Sequence, residues 1–341
     1  MFDGQSPDGP ERLGFLLVPG FSMIGFFSAI EPLRVANRLK GRQLYSWRIF
    51  SLDGEPVAAS NGMTIVADAS ISQVERFPTV IVCASYEPER YLSKRLLAWL
   101  RRLDRQGARL GALETGAHVL ARAGLLDGYR ATLHWESAPA FAEKFPTVEV
   151  SHELFEIDRK RITCSGGTAA IDLMLHLMAG RHGQQLALDV SEQLLHARIR
   201  NPDDHQRMAL GQRLGVRHPK LIRIVEAMEE NLEEPLRLDG LSALGGISRR
   251  QLERLFRNHL ADTPSGYYLK LRLYRARQFL EQTDMSVLDV SLACGFISAP
   301  YFSRAYRALF GRAPRDDRRN LRLGVGRTGW FMPGAEGLDL L

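Results

Sequence analysis

Two stretches near the end of the chain carry the residue types that read DNA. In LRLDGLSALGGISRRQLERLFRNHL (236–260) a short helical pattern, Leu238–Leu244, meets Gly245-Gly246, and a second helix opens at Ser248. Serine suits that place because its hydroxyl accepts an otherwise unpaired N–H of the first turn. Leu252, Leu255 and Phe256 stand at i, i+3 and i+4, so one face of this helix is expected to be buried. The opposite face presents Arg249, Arg250, Gln251, Arg254 and Arg257. The stretch SVLDVSLACGFISAPYFSRAYRALFG (286–311) repeats the plan. Val287, Val290 and Leu292 form the apolar side of a first helix, and Gly295 makes the turn. Ser298 caps a second helix, which buries Phe302, Ala305, Tyr306 and Leu309 and exposes Ser303, Arg304 and Arg307. Pro300 falls in its first turn, where a missing N–H does no harm.

Two helices joined by a short turn with Gly form a helix-turn-helix, whose second helix enters the major groove N-terminus first. Arginine suits guanine and glutamine suits adenine. The expected DNA contacts are therefore Ser248, Arg249, Arg250, Gln251 and Arg254 in the first unit. In the second they are Ser298, Tyr301, Ser303, Arg304 and Arg307. A long helix over 265–283 joins the units and is expected to hold them for successive grooves on one face of a duplex. Charge agrees: Gly246 to Asn320 holds 14 Lys/Arg against 7 Asp/Glu, while the whole chain carries +6. A localised basic excess is the footprint of a nucleic-acid module.

A second place with chemical potential is ARLGALETGAHVLARAGLLDG (108–128). A buried strand ends at Leu113, Glu114-Thr115-Gly116 turns sharply, and a helix starts at once. Such an elbow presents one side chain at a helix N-terminus, where an enzyme would hold a nucleophile activated by a base.

The elements that position these residues differ between the two parts of the chain. Short apolar runs at 13–19, 47–52, 79–85, 108–114 and 161–165 alternate with amphipathic stretches at 22–39, 88–107 and 168–182. That alternation means an α/β domain with a parallel sheet covered on both faces, a flavodoxin-like sandwich. A helix is expected to continue over 184–200. From Lys220 no strand pattern survives, so the C-terminal domain is all-α. The expected organisation is a loose tail (1–11), an α/β domain (12–199), a polar linker (200–219), a helical DNA-binding domain (220–320) and a flexible tail (321–341).

The three cysteines (Cys83, Cys164, Cys294) lack metal-ligand spacing and suit a reducing cytoplasm. No metal or cofactor is expected. No apolar run approaches the roughly 18 residues of a membrane span, and the polar start MFDGQSPDGPER has no signal-peptide pattern.

The C-terminal segment, SRRQLERLFRNHL through SVLDVSLACGFISAPYFSRAYRALFG, resembles the AraC/XylS family of bacterial transcription regulators. It departs from that pattern at Ile297-Ser298-Ala299-Pro300, which bears on base preference in the second unit. The N-terminal part resembles the class I glutamine amidotransferase/PfpI-type fold, in the GlxA-like variant fused to such units. GFSMIGFFSAIEPLRVAN (20–37), AGLLDGYRATLHWE (123–136) and TCSGGTAAIDLMLHLM (163–178) carry that likeness. Catalytic members hold a cysteine where this chain has Glu114, while His134 and Glu31 match a family histidine and carboxylate. The resemblance therefore implies a non-catalytic sensor domain, self-associating as a homodimer, in an activator that meets RNA polymerase. An amidotransferase- or hydrolase-type enzyme with a DNA-binding appendage is the alternative, and Glu114 speaks against it.

Fused regulators of this kind respond to quaternary amines such as betaine and carnitine, or to amino acids. The residues allow a physical version of that response. Glu114 supplies a negative charge, and Trp135, beside His134, offers a ring face to a cation. Tyr86 offers another. Ser165-Gly166-Gly167-Thr168 runs from strand to helix, where free N–H groups suit a carboxylate. Together with Thr115 and Glu31 these form the expected effector pocket. Plainer roles stay open at this point. Glu114 caps its own helix or pairs with Arg122, His134 and Trp135 are core residues, and Gly166-Gly167 serves close packing.

Overall fold

Contacts divide the chain into two units, Met1–Gln206 and Arg207–Leu341. The computed structural model describes residues 9–322. The tails expected at 1–11 and 321–341 lie mostly outside the described residues, but Glu11 already opens a strand, buried at 2% exposure.

The strands of the first unit are β1 (Glu11–Leu17), β2 (Tyr45–Ser51), β3 (Val57–Ala58), β4 (Thr64–Ile65), β5 (Ala69–Ser70) and β6 (Thr79–Ala84). They continue with β7 (Arg109–Glu114), β8 (Arg130–Ala131), β9 (Glu149–Val150), β10 (Phe155–Asp158) and β11 (Arg161–Cys164). Seven of them form one sheet in the order β10-β11-β7-β6-β1-β2-β5. Every neighbouring pair is parallel except β10 with β11. The parallel sheet expected from the apolar runs is thus corrected at one edge. Arg159, in the left-handed region at φ 53°, turns the chain straight back, so no crossover helix fits between β10 and β11.

The helices of this unit are α1 (Met23–Lys40), α2 (Lys94–Arg105), α3 (Gly116–Arg122), α4 (Ala138–Lys144), α5 (Ala169–His182) and α6 (Gln184–Gln193). Side chains alternate across the pleat. Leu13, Phe15 and Leu17 of β1 therefore join α1, α5 and α6 in one core, while Leu16 joins α2, α3 and α4 in another. The helix expected over 184–200 stops at Gln193. Leu195 takes φ 55°, and the Ser191 hydroxyl donates to the His196 carbonyl at 2.7 Å, closing the end.

The second unit holds α7 (Leu210–Arg213), α8 (Pro219–Glu230), α9 (Leu238–Gly245), α10 (Arg249–Leu260), α11 (Pro264–Gln282), α12 (Val287–Ala293), α13 (Ala299–Phe310) and α14 (Pro314–Arg322). Leu210 and Val216 pack into its first core with Leu221, Leu252, Phe256 and Tyr267. Arg207 and Arg213 both pair with Glu229. Residues 207–219, expected as part of a linker, therefore belong to the folded helical unit. Their polar composition hid the two apolar anchors.

Candidate functional site

The second unit forms two helix-turn-helix pairs, α9–α10 and α12–α13, around α11. Ser248 accepts the Gln251 N–H at 3.3 Å, and the Gln251 side-chain oxygen accepts the Ser248 N–H at 2.9 Å. This reciprocal cap makes a firm helix start. It also engages the carbonyl end of Gln251, which the sequence had assigned to adenine. Arg249 is held in an exposed ion pair by Asp239. Arg250 and Arg254 are exposed and have no partner among the described residues.

In the second pair Ser298 accepts the Tyr301 N–H at 3.4 Å. Phe302 and Tyr306 are fully buried, Arg304 and Arg307 are exposed, and Ser303 is half-buried. Tyr301 is 46% exposed. A run of aromatics fixes the helix from beneath. Phe296 and Phe302 lie 5.0 Å apart by ring centroid, and Tyr306 and Phe310 4.5 Å. The Tyr306 hydroxyl donates to Asp317 at 2.8 Å, and Arg277 of α11 lies 3.2 Å from the same carboxylate. Five expected burials differ across the two pairs. Leu292 is exposed, while Leu255, Val287, Ala305 and Leu309 are half-buried.

The first unit holds the elbow where it was expected. Glu114 ends β7 with φ 52°, and α3 begins two residues later. Its side chain does not open to solvent. It is 9% exposed and lies under the Gly166-Gly167 turn. Gly167 N–H donates to Glu114 Oε1 at 3.3 Å, and the hydroxyls of Ser22 and Ser85 bond to the same carboxylate. Burial pushes the carboxyl above its ordinary range, and these three donors pull it back part of the way. Glu114 thus caps the strand-to-helix turn before α5, rather than its own helix or Arg122. The Thr115 hydroxyl donates to the Ser85 carbonyl.

A crevice too narrow to hold a water molecule lies against this carboxylate, walled by Ser22, Gly25, Phe26, Cys83, Ala84 and Leu113. Ser22 and Ser85, which sequence reasoning missed, act on Glu114; the N-cap position of Ser22 before α1 was the only signal. Both neighbouring thiols are inert. Burial pushes Cys164 up to about 12 and Cys83 higher still.

The other expected pocket residues do not line this crevice. Glu31 is drawn to Arg34, with the closest approach 2.6 Å at the surface. Tyr86 is 59% exposed. His134 stacks on Trp135 at 5.3 Å, and burial holds its ring below its ordinary pKa. Thr168 accepts a hydrogen bond from Arg200 at 3.0 Å. The anion site expected at Gly166-Gly167 is filled by Glu114 itself, so cation site and anion site are one place rather than two facing halves.

The segment after α6 is strapped to this neighbourhood. Asp172 of α5 is wholly buried, with His196 Nε2 2.8 Å away and the Arg200 guanidinium 2.7 Å away. Further on, the Gln206 side chain accepts the Trp135 N–H at 2.8 Å and donates to the Glu153 carbonyl at 2.8 Å. No cluster of metal-ligand residues occurs among the described residues. No described helix is long and apolar enough to cross a membrane.

Known proteins share both parts. The helix-turn-helix domain family matches residues 241–320, and the DJ-1/PfpI family matches residues 12–180. The chain is 55% identical to the HTH-type transcriptional regulator CdhR of Pseudomonas aeruginosa, over 91% of this chain and 92% of that protein. It is 51% identical to the HTH-type transcriptional regulator GbdR of the same species, over 92% of this chain and 86% of that one. Against the HTH-type transcriptional regulator ArgR of that species the identity is 44%, over 96% and 99%.

Proposed function

Since the chain belongs to the AraC-type helix-turn-helix transcriptional regulators that carry an N-terminal DJ-1/PfpI domain, we propose that it activates transcription at promoter sites read jointly by α10 and α13. It is a DNA-binding regulator with an effector-sensing domain and not an enzyme. The observation that carries the proposed DNA contacts is the matched pair of serine-capped helices with unpaired arginines on their outer faces, Arg250 and Arg254, Arg304 and Arg307. RNA polymerase is the further partner that activation requires. A second copy of the chain is another, and the exposed Ile24 and Phe27, three residues apart on α1, support that contact.

The effector is a small amine of the betaine or carnitine class, or an amino acid, seated on Glu114. A buried carboxylate beside Phe26 suits a cation with an apolar coat, whose charge would keep Glu114 ionised and whose methyl groups would meet the ring. The crevice beside Glu114 has no room for a water molecule, let alone a trimethylammonium group. An effector of that size therefore parts its walls, and a ligand that favours one arrangement shifts the population toward it.

Thermal unfolding of the full chain tests this with betaine, carnitine, choline, dimethylglycine, sarcosine and arginine. A ligand at 100 times its Kd stabilises by about 2.7 kcal/mol. The expected result is a rise in Tm with one amine class that is lost in Glu114→Gln. A rise that survives Glu114→Gln would move the seat elsewhere, and silence across the panel would remove this effector class.

A further inference from the structure

We propose that Ile297 reads the 5-methyl group of a thymine in the half-site bound by α13. This rests on the reading of α13 as a recognition helix and assigns it a specificity residue outside the helix itself.

The two helix-turn-helix pairs have turns of different length. Gly246 and Gly295 are equivalent: both take positive φ, 57° and 73°, and each closes the helix before it. The residues that follow are also equivalent, since Ile247 N–H donates to the Ser242 carbonyl and Phe296 N–H to the Ser291 carbonyl. In the first pair the cap, Ser248, comes next. In the second, one more residue stands before Ser298, and that residue is Ile297.

Ile247 packs on its core, and Phe296 does the same work at 2% exposure. The inserted Ile297 has no inward place left and is fully exposed, at 101%. The turn beneath it is fixed. Arg272 donates to the Cys294 carbonyl at 2.8 Å and to the Gly295 carbonyl at 2.6 Å, and its guanidinium lies 4.1 Å from the Phe296 ring centre. A β-branched side chain on a clamped turn has few rotamers to lose. It is a stiff apolar probe beside the N-terminus of a helix whose outer face carries Arg304 and Arg307. That charge selects DNA as the surface it meets. In the major groove the apolar feature on offer is the thymine methyl group.

The test selects duplexes from a random pool with the full chain, wild type and the variants Ile297→Ala and Arg304→Ala. Ile297 touches nothing buried, so its truncation leaves the fold intact. Wild type is expected to enrich thymine at one position next to those altered by Arg304→Ala, and Ile297→Ala to lose that preference alone. Replacing that thymine by deoxyuridine should weaken wild type about three- to tenfold and leave Ile297→Ala unchanged. Retention of the thymine by Ile297→Ala, or indifference of wild type to deoxyuridine, overturns the proposal while α13 keeps its role. Loss of promoter activation with unchanged selection also overturns it, since the side chain would then serve polymerase. If Arg304→Ala alters no position either, the assignment of α13 falls and Ile297 falls with it.

Discussion

Glu114 and Gly166 share one space, and that shows most clearly at the residue scale what the elbow does here. A Cβ on Gly166 would overlap the Glu114 side chain, and its φ of 92° strains any L residue. Gly166→Ala is therefore expected to cost roughly 3 kcal/mol or more. Glu114→Ala leaves Gly167 N–H and two hydroxyls without their acceptor and should cost about 1–3 kcal/mol. Together the two should cost less than their sum, because the clash is gone while the strain remains. Chemical denaturation of the three variants checks this, and additive losses would contradict the packing. The raised carboxyl of Glu114 adds a pH dependence. A cationic effector should bind less well as pH falls through that raised pKa, and Glu114→Gln should bind weakly and without that slope in calorimetric titrations. The elbow was legible in the sequence as Glu114-Thr115-Gly116. Its partner was not, since Gly166 lies 52 residues away and only the folded sheet sets β7 beside β11. The exposure of Arg250 and Arg254 on α10 and of Arg304 and Arg307 on α13 was legible from helical spacing alone. The engagement of Arg249 by Asp239 and of Gln251 by its own cap required coordinates.

At the scale of elements, the strap from His196 to Gln206 replaces the end of the expected helix and the start of the expected linker. Periodicity could not find it, because its order comes from one buried carboxylate rather than from an apolar face. Asp172→Ala would leave the Arg200 and His196 side chains facing a buried gap. The expected loss is about 3–5 kcal/mol, read by thermal unfolding, with faster hydrogen exchange confined to 196–206. Unchanged exchange there would show that the strap is held by something else. In the second unit α11 packs on α8 and α10 and also on α12, α13 and α14, as its length between the two motifs suggested. Gly295 is pressed against backbone carbonyls of the segment that follows α8. Its φ is 73°, and an added Cβ would lie 2.7 Å from the Leu232 carbonyl. Gly295→Ala should therefore weaken DNA binding through the second pair while α10 keeps its contacts. Base preferences selected by the variant read this directly.

The whole molecule combines an α/β sensor with a basic helical reader, and composition already divided them. The sheet edge at β10 escaped notice because a four-residue strand closed by a tight turn gives no period to count. Glu11 makes the sensor's stability depend on pH. Burial pushes its carboxyl up to about 7 from an ordinary 4.5, with Arg181 at 3.4 Å pulling the other way. The folded chain then keeps a proton that the unfolded chain gives up. Its contribution is full below about pH 4.5 and is lost as pH rises through 7, a change of at most about 3 kcal/mol. Glu11→Gln should flatten Tm between pH 5 and 8, and an unchanged pH slope would contradict the burial. If α10 and α13 together read one DNA site, sequence preference needs both helices intact. Fluorescence anisotropy at fixed salt, on the selected duplex and on a scrambled one, tests it with wild type, Arg250→Ala, Arg304→Ala and the double variant. Each single change should cost about 1–3 kcal/mol of preference, and the double variant should bind both duplexes alike. A double variant that still prefers the selected duplex as strongly as wild type would contradict it.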